Sequence, residues 1–184
     1  MGMYSMTAVQ THIFLHLEEG VELAPAAGAL VWSIAAISNI PSRLASGFIG
    51  DRQPKRLVLG IGTAVMGSSL IILSFANSMF MSVMFAIVYG VGWGARTPVF
   101  NAIQGDYYGN KSQGLIRGWI AIISLPFAIV APVLTGYLDD IYGNYHMAFL
   151  IASAIGILGG ILAFFAVAPK PPKPWETAGI PDTK

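Results

Sequence analysis

The sequence predicts an all-α membrane protein with six transmembrane helices set out as an inverted three-plus-three repeat. Three observations lead there. Of 184 residues, 55% are hydrophobic and only 10% charged, where a soluble domain carries about 25% charged residues. Too few polar groups are present to cover a surface in water, so lipid is the expected solvent. The apolar residues also come in long spans parted by short charged gaps. Finally, a six-residue phrase recurs: "SGFIGD" at Ser46–Asp51 and "TGYLDD" at Thr135–Asp140, 89 positions later.

The spans run 1–17, 24–49, 57–76, 79–104, 116–137 and 147–168. The last five each reach the roughly 20 helical residues that a hydrocarbon core demands. Backbone groups in lipid must satisfy one another, so spans of this length are expected as helices. None shows the period-2 alternation of a barrel strand. The first span is short. Applying the repeat offset to the fourth span places the start of the first about ten residues before Met1, which accounts for its length. Residues 1–168 therefore read as one six-helix unit. Residues 169–184, "PKPPKPWETAGIPDTK", read as a Pro-rich disordered cytoplasmic tail.

Charge sets the orientation. Arg52, Lys55 and Arg56, then Lys111 and Arg117, then Lys170, Lys173 and Lys184 fall on one side of five crossings. The opposite loops hold Glu18, Glu19, Glu22, Asp139 and Asp140 and no base. Basic loops stay cytoplasmic, which puts both termini inside a cell (plasma or inner) membrane. The net charge of +1 gives no reason to expect nucleic acid as a partner. With no cysteine, disulfides and thiolate metal sites are excluded. The N-terminus lacks the basic region and cleavage site of a signal peptide. There is no HExxH, no GxSxG and no buried carboxylate pair, so an intramembrane enzyme is not expected, and no cofactor is implied.

The gap "GFIGDRQPKR" concentrates an acid and three bases between two apolar spans. Gly47 permits close approach of another helix. Asp51 at the boundary can accept from exposed N–H groups at a neighbouring helix N-terminus. Pro54 suits the first turn of the next helix. The stretch resembles the signature loop of the major facilitator superfamily, Gly-x-x-x-Asp-Arg-x-Gly-Arg-Lys. Gly47, Asp51, Arg52, Lys55 and Arg56 match, while Pro54 departs from the usual glycine. Two further stretches, "VQTHIFLHLEEGVELAPAAGALVWSIAAISNIPSRLASGFIGDR" and "GVGWGARTPVFNAIQGDYYG" with the later "RGW", resemble helices seven, eight and ten of the monocarboxylate-transporter-like and oxalate/formate-type branch. The resemblance implies a C-terminal six-helix half of a twelve-helix transporter, with the N-terminal half as missing partner. It also implies that the loop around Asp51 acts as a conformational lock.

Two cations lie inside spans. Arg43 is roughly 12 Å inward from Asp51 along a helix, and Arg96 roughly 15 Å from Asp106. A charge at such depth is costly and by default marks function. A guanidinium suits a carboxylate, which it can hold by two bonds. Snorkelling to Asp51 or Asp106 is the plainer alternative. The family resemblance sharpens Arg43: monocarboxylate transporters carry an arginine four residues before this glycine, linked to substrate, with an aspartate one turn earlier. Here Asn39 stands in that place and cannot take up a proton. Asn39, Trp93, Asn101 and Gln104 are the expected companions of the two arginines around a small organic anion such as a monocarboxylate, with a coupling proton or ion as possible co-solute.

Gly90, Gly92, Gly94 and Pro98 are expected either to loosen the fourth helix beside a binding site or to let it pack closely; Pro126 and Pro132 bend the fifth. His12 and His16, one turn apart, together with Gln10 form a candidate outer gate. A plain structural role stands ahead of that gate, and a metal lacks a third ligand. Gly156 and Gly160 offer a small packing face. Secondary transport by alternating access is the leading function; the alternative is a non-transporting sensor or assembly module on the same fold.

Overall fold

The computed structural model describes residues 2–21, 23–108 and 113–167. Six α-helices follow in order, with no strand among the described residues. They are α1 (Gly2–Leu15, continued by one π turn, His16–Gly20), α2 (Pro25–Gly50), α3 (Lys55–Ser74), α4 (Met79–Tyr108), α5 (Gln113–Tyr142) and α6 (His146–Phe164). The expected Glu22, Lys111 and tail positions, Lys170, Lys173 and Lys184 included, lie outside the described residues.

Helices α3, α4, α5 and α6 are each long and apolar enough to cross a membrane. At 26 residues α2 is long enough too, but Ser33, Ser38, Asn39, Ser42, Arg43 and Ser46 dilute its apolarity. Such a polar stripe is tolerable only where the helix faces protein or a watery cavity. Helices α4 and α5, 30 residues each, extend about 45 Å, past both ends of a hydrocarbon core about 30 Å thick.

The packing pattern carries the repeat. Helix α4 packs on α2 and α3, α3 packs on α6, and α1 packs on α5 and α6. Exchanging α1 with α4, α2 with α5 and α3 with α6 returns the same set of neighbours. That is the signature of an inverted duplication, where each half supplies one helix to every seam.

Glycines bring the seams together. A Cβ at Gly90 or Gly94 of α4 would run into the carbonyl oxygens of Ala35 and Asn39 on α2. One at Gly92 would meet the backbone of Met66 on α3. On the α3–α6 seam a Cβ at Gly67 would lie 2.8 Å from Gly156 C, and one at Gly160 2.8 Å from Ala64 N. The expectation that Gly90, Gly92, Gly94 and Pro98 loosen α4 is therefore corrected: α4 is one continuous helix through Pro98, and its glycines serve contact. Apolar side chains gain no hydrophobic advantage by leaving lipid, so close packing must drive association. Side-chain bonds across the seams add to it: Ser5 Oγ donates to Ala152 O at 2.7 Å, Ser42 Oγ to Val91 O at 2.6 Å and Ser74 Oγ to His146 O at 3.0 Å. Helix α5 likewise runs unbroken through Pro126 and Pro132.

The chain's charges separate by end. The α2–α3 turn bearing Arg52 and Lys55 joins the end of α4 through a 2.6 Å pair, Lys55 Nζ to Asp106 Oδ2. At the far end of α3, about 30 Å away, Ser74 meets His146, close in sequence to Asp139 and Asp140.

Candidate functional site

Where α1, α4 and α5 meet, toward the end of the bundle that carries the α2–α3 turn, lies a cavity of about 410 Å³. Its polar lining is Arg96, Asn101 and Gln104 from α4 with Arg117 and Ser124 from α5; Phe100, Ile120 and Met3 supply apolar wall. Among the described residues, no acidic side chain lines it. Helical spacing explains the α4 contribution, because positions 96, 100 and 104 return to one face of the helix.

Arg96 is half-buried and lacks a carboxylate. Its Nη1 reaches Gly2 O at 3.5 Å and Met66 Sδ at 3.9 Å, and its guanidinium lies 6.0 Å from the Phe100 ring centroid. Each of these contacts is at the long limit for its kind. Gln104 is buried, and its Oε1 has no protein partner. Arg117 is exposed at the cavity's edge and makes no side-chain hydrogen bond or ion pair among the described residues. In the sequence it reads as a marker of orientation and as the first residue of the "RGW" stretch, not as a site residue. Its part in the cavity depends on how α5 is rotated against α4, which no local signal reveals.

Arg43 and Arg96, both expected around the solute, stand apart in this chain. Arg43 does not line the cavity. It is exposed on α2, without a side-chain partner among the described residues, and its backbone N packs near Gly94. Neither arginine snorkels to Asp106, which Lys55 occupies, nor to Asp51, whose exposed carboxylate makes no bond among the described residues. Spacings of seven and eleven put Trp32, Asn39 and Arg43 on one stripe of α2. That stripe begins at an aromatic cluster: Trp32 lies 6.1 Å from both Tyr89 and Trp93, and Tyr89 lies 5.3 Å from Phe85. So Trp93 joins this cluster rather than the cavity. Asn39 is buried, with its Nδ2 unpartnered, as is the Tyr89 hydroxyl. A desolvated donor costs about 1–3 kcal/mol, which water or a solute reaching the seam offsets.

In the signature turn, Arg52 stacks 3.8 Å above the Phe48 ring and Lys55 pairs with Asp106. Arg56 is half-buried beside them. Pro54 sits one residue ahead of α3 rather than inside its first turn. Among the described residues nothing lies within 4 Å of a Cβ built on Gly47, so no helix described makes the close approach expected there. The Lys55–Asp106 side chains are 28% and 51% exposed. Lys55→Ala is accordingly expected to lower stability by less than about 1 kcal/mol, a shift of a few degrees at most in a thermal melt.

At the opposite end, His12 Nε2 bonds Pro132 O on α5 and His16 Nε2 bonds Leu73 O near the end of α3, both at 3.0 Å. His16 thus caps a carbonyl in the last turn of α3. Both rings rest on Tyr145, at 5.6 and 5.7 Å. Gln10 is exposed and shares no contact with them. The three do not form one cluster. Among the described residues, no group of His, Asp or Glu has the geometry to hold a metal.

The model of the Major Facilitator Superfamily matches residues 1–184. This chain belongs to the major facilitator superfamily. Among its superfamily relatives, Monocarboxylate transporter 13 of Rattus norvegicus is 34% identical over 155 residues, covering 82% of this chain and 36% of the relative. Monocarboxylate transporter 13 of Bos taurus is 31% identical over 173 residues, covering 90% and 40%. Sugar phosphate exchanger 3 of Bos taurus is 27% identical over 179 residues, covering 90% and 34%. The chain thus spans roughly a third to two fifths of these relatives' lengths. Superfamily membership makes it a multi-pass membrane protein of a transporter family, rather than a member of an enzyme family.

Proposed function

We propose that this chain is the C-terminal half of a secondary transporter that moves a small organic anion, such as a monocarboxylate, by alternating access. The single observation that supports this most is Arg96, half-buried within α4 with no carboxylate partner among the described residues. A half-buried cation without a counterion is costly in a membrane, and an anionic solute supplies the missing charge. The relatives named for monocarboxylates and for sugar phosphate share that sign of solute. A second six-helix half closes the path from the opposite side, where Arg43 of α2 is exposed. Arg43 is positioned to meet solute or partner half there. With Asn39 in place of an acid, a coupling proton is carried elsewhere, or another ion is coupled. The basic turn faces the cytoplasm and locks the two halves in the outward-open state.

The test is counterflow of labelled monocarboxylate in proteoliposomes holding this chain together with an N-terminal half. Saturable exchange is expected. Absence of exchange for every small anion would reject the reading and favour a non-transporting module. The lock makes its own prediction. Gly47→Ala should hold or raise the melting temperature, because the added methyl meets nothing among the described residues and helix propensity improves, yet slow exchange several-fold, because the partner half approaches there. Unaltered exchange would remove Gly47 from the lock.

A further inference from the structure

We infer that the small cavity at the far end of the bundle, lined by His16, Asp139 and His146, is a proton-binding site in which His16 takes the proton and Asp139 is its counterion. On the orientation proposed above, this end faces the outside, and acid there tightens the α1–α5 seam and slows exchange. The proton site stands on the geometry of this end; its effect on exchange rests on the transport reading.

The cavity, about 200 Å³, lies between the π turn that follows α1, the end of α5 and the α5–α6 turn, where Asn144 and Tyr145 add polar wall. His16 is 3% exposed. Its Nε2 lies 3.0 Å from Leu73 O. A carbonyl only accepts, so Nε2 carries the hydrogen and a neutral ring keeps its lone pair on Nδ1. That Nδ1 is buried and has no protein partner. The local backbone leaves room beside it. The π turn is closed by Val21 N donating to His16 O at 3.1 Å, and position 20 is glycine, where a Cβ would stand 3.0 Å from Nδ1. Single π turns inside or ending α-helices recur at functional sites.

Imidazole is the side chain whose charge ordinarily changes between pH 5 and 8. A proton on Nδ1 turns an idle acceptor into a charged donor that needs a partner. The titratable groups around the ring are His12 from α1, Asp139 from α5, His146 from α6 and Tyr145 just before it. Helix α3 offers only Leu73 O and the Ser74 hydroxyl, and Glu18 is exposed outside the lining. Among the described residues, Asp139 is the acid that lines the cavity; it is half-buried and makes no side-chain bond. One carboxylate balances one imidazolium, so the expected load is a single proton. A His16–Asp139 pair links α1 to α5 a second time, beyond the bond from His12 Nε2 to Pro132 O. The protonated state therefore favours the arrangement in which these two helix ends are joined.

The chain has three histidines, so nitrogen-15 labelling of them in the two-half transporter gives a readable spectrum. The signals lost in His16→Gln belong to His16, and glutamine keeps an N–H for Leu73 O while taking up no proton. The Nε2–H tautomer is expected at pH 8 and both nitrogens protonated at pH 5. Asp139→Asn should move the midpoint down by about one pH unit, since an opposite charge nearby favours the charged form. In counterflow, with pH set equally on both sides, the rate of the wild type relative to His16→Gln should fall about threefold or more from pH 7.5 to 5.5, and Asp139→Asn should lose that fall. A His16 ring still neutral at pH 5 overturns the inference, and so does a midpoint that Asp139→Asn leaves unmoved. If His16→Gln does not fold, His12→Gln and His146→Gln assign the His16 signals by elimination and both outcomes stay readable. A rate ratio that ignores pH overturns the link to exchange. Absence of exchange for every anion rejects the transport reading, and the histidine signals then decide the proton site by themselves.

Discussion

Replacing Arg96 with leucine is expected to remove anion binding while leaving the folded bundle at least as stable as before. The two effects have different origins. In the anion-bound state Arg96 contributes a charge-assisted contact in a desolvated place, and losing one partner of such a pair costs about 2–5 kcal/mol. At the lower end that is a fall of roughly 30-fold in affinity. Without anion the same guanidinium is half-buried with only Gly2 O, Met66 Sδ and the distant Phe100 ring for company. Replacing a buried ion with an apolar side chain is often neutral or stabilising by about 1–4 kcal/mol. Counterflow and a thermal melt in detergent measure the two together. A structural arginine behaves oppositely: Arg96→Leu would then lower the melting temperature and spare whatever anion exchange remains. That outcome would remove Arg96 from the solute site.

The second large effect concerns packing. Gly92→Ala is expected to destabilise the bundle even though alanine is the better helix former. The substitution gains about 1 kcal/mol of helix propensity. Against that, the new methyl meets Met66 N, Met66 Cα at 2.7 Å and Gly62 O at 2.9 Å. These are backbone atoms of α3, which cannot swing away as a side-chain tip does. Relief requires α3 and α4 to move apart, and overpacking of this kind costs about 1–3 kcal/mol or more. The net result is a lower melting temperature and less folded protein in membranes. Gly118→Ala is the control. Nothing lies within 4 Å of a Cβ there, so only the propensity gain remains and the melting temperature should hold or rise. If Gly92→Ala melts at or above wild type, the α3–α4 seam is looser than the coordinates place it.

The glycines illustrate why part of the site escaped a reading of the chain. "YGVGWGA" carries three glycines at alternate positions, and flexible helix and close packing are equally natural interpretations. Only the neighbours decide: Gly90 and Gly94 turn to α2, Gly92 to α3. Arginines divide in the same manner. Arg96, Asn101 and Gln104 were recognisable as polar groups in an apolar span, and they do meet in one cavity. Arg43 had the same credentials, but α2 presents it on another face. Arg117, the first residue of "RGW", carried no such mark of depth, because a base beside a loop is ordinary.

Hydrophobic length, charge asymmetry and the echo of "SGFIGD" in "TGYLDD" are properties of the chain in one dimension, and they were enough to determine a six-helix membrane half with inverted repeats. They suffice because lipid leaves a long apolar segment almost no alternative to a helix. Which side chains share a cavity is another kind of fact. It depends on the rotation of each helix about its axis and on where glycines let two backbones touch. Those are set by contacts between residues far apart in the sequence, and so the meeting of Arg96 with Arg117, and the absence of Arg43 from it, belonged to the tertiary structure alone.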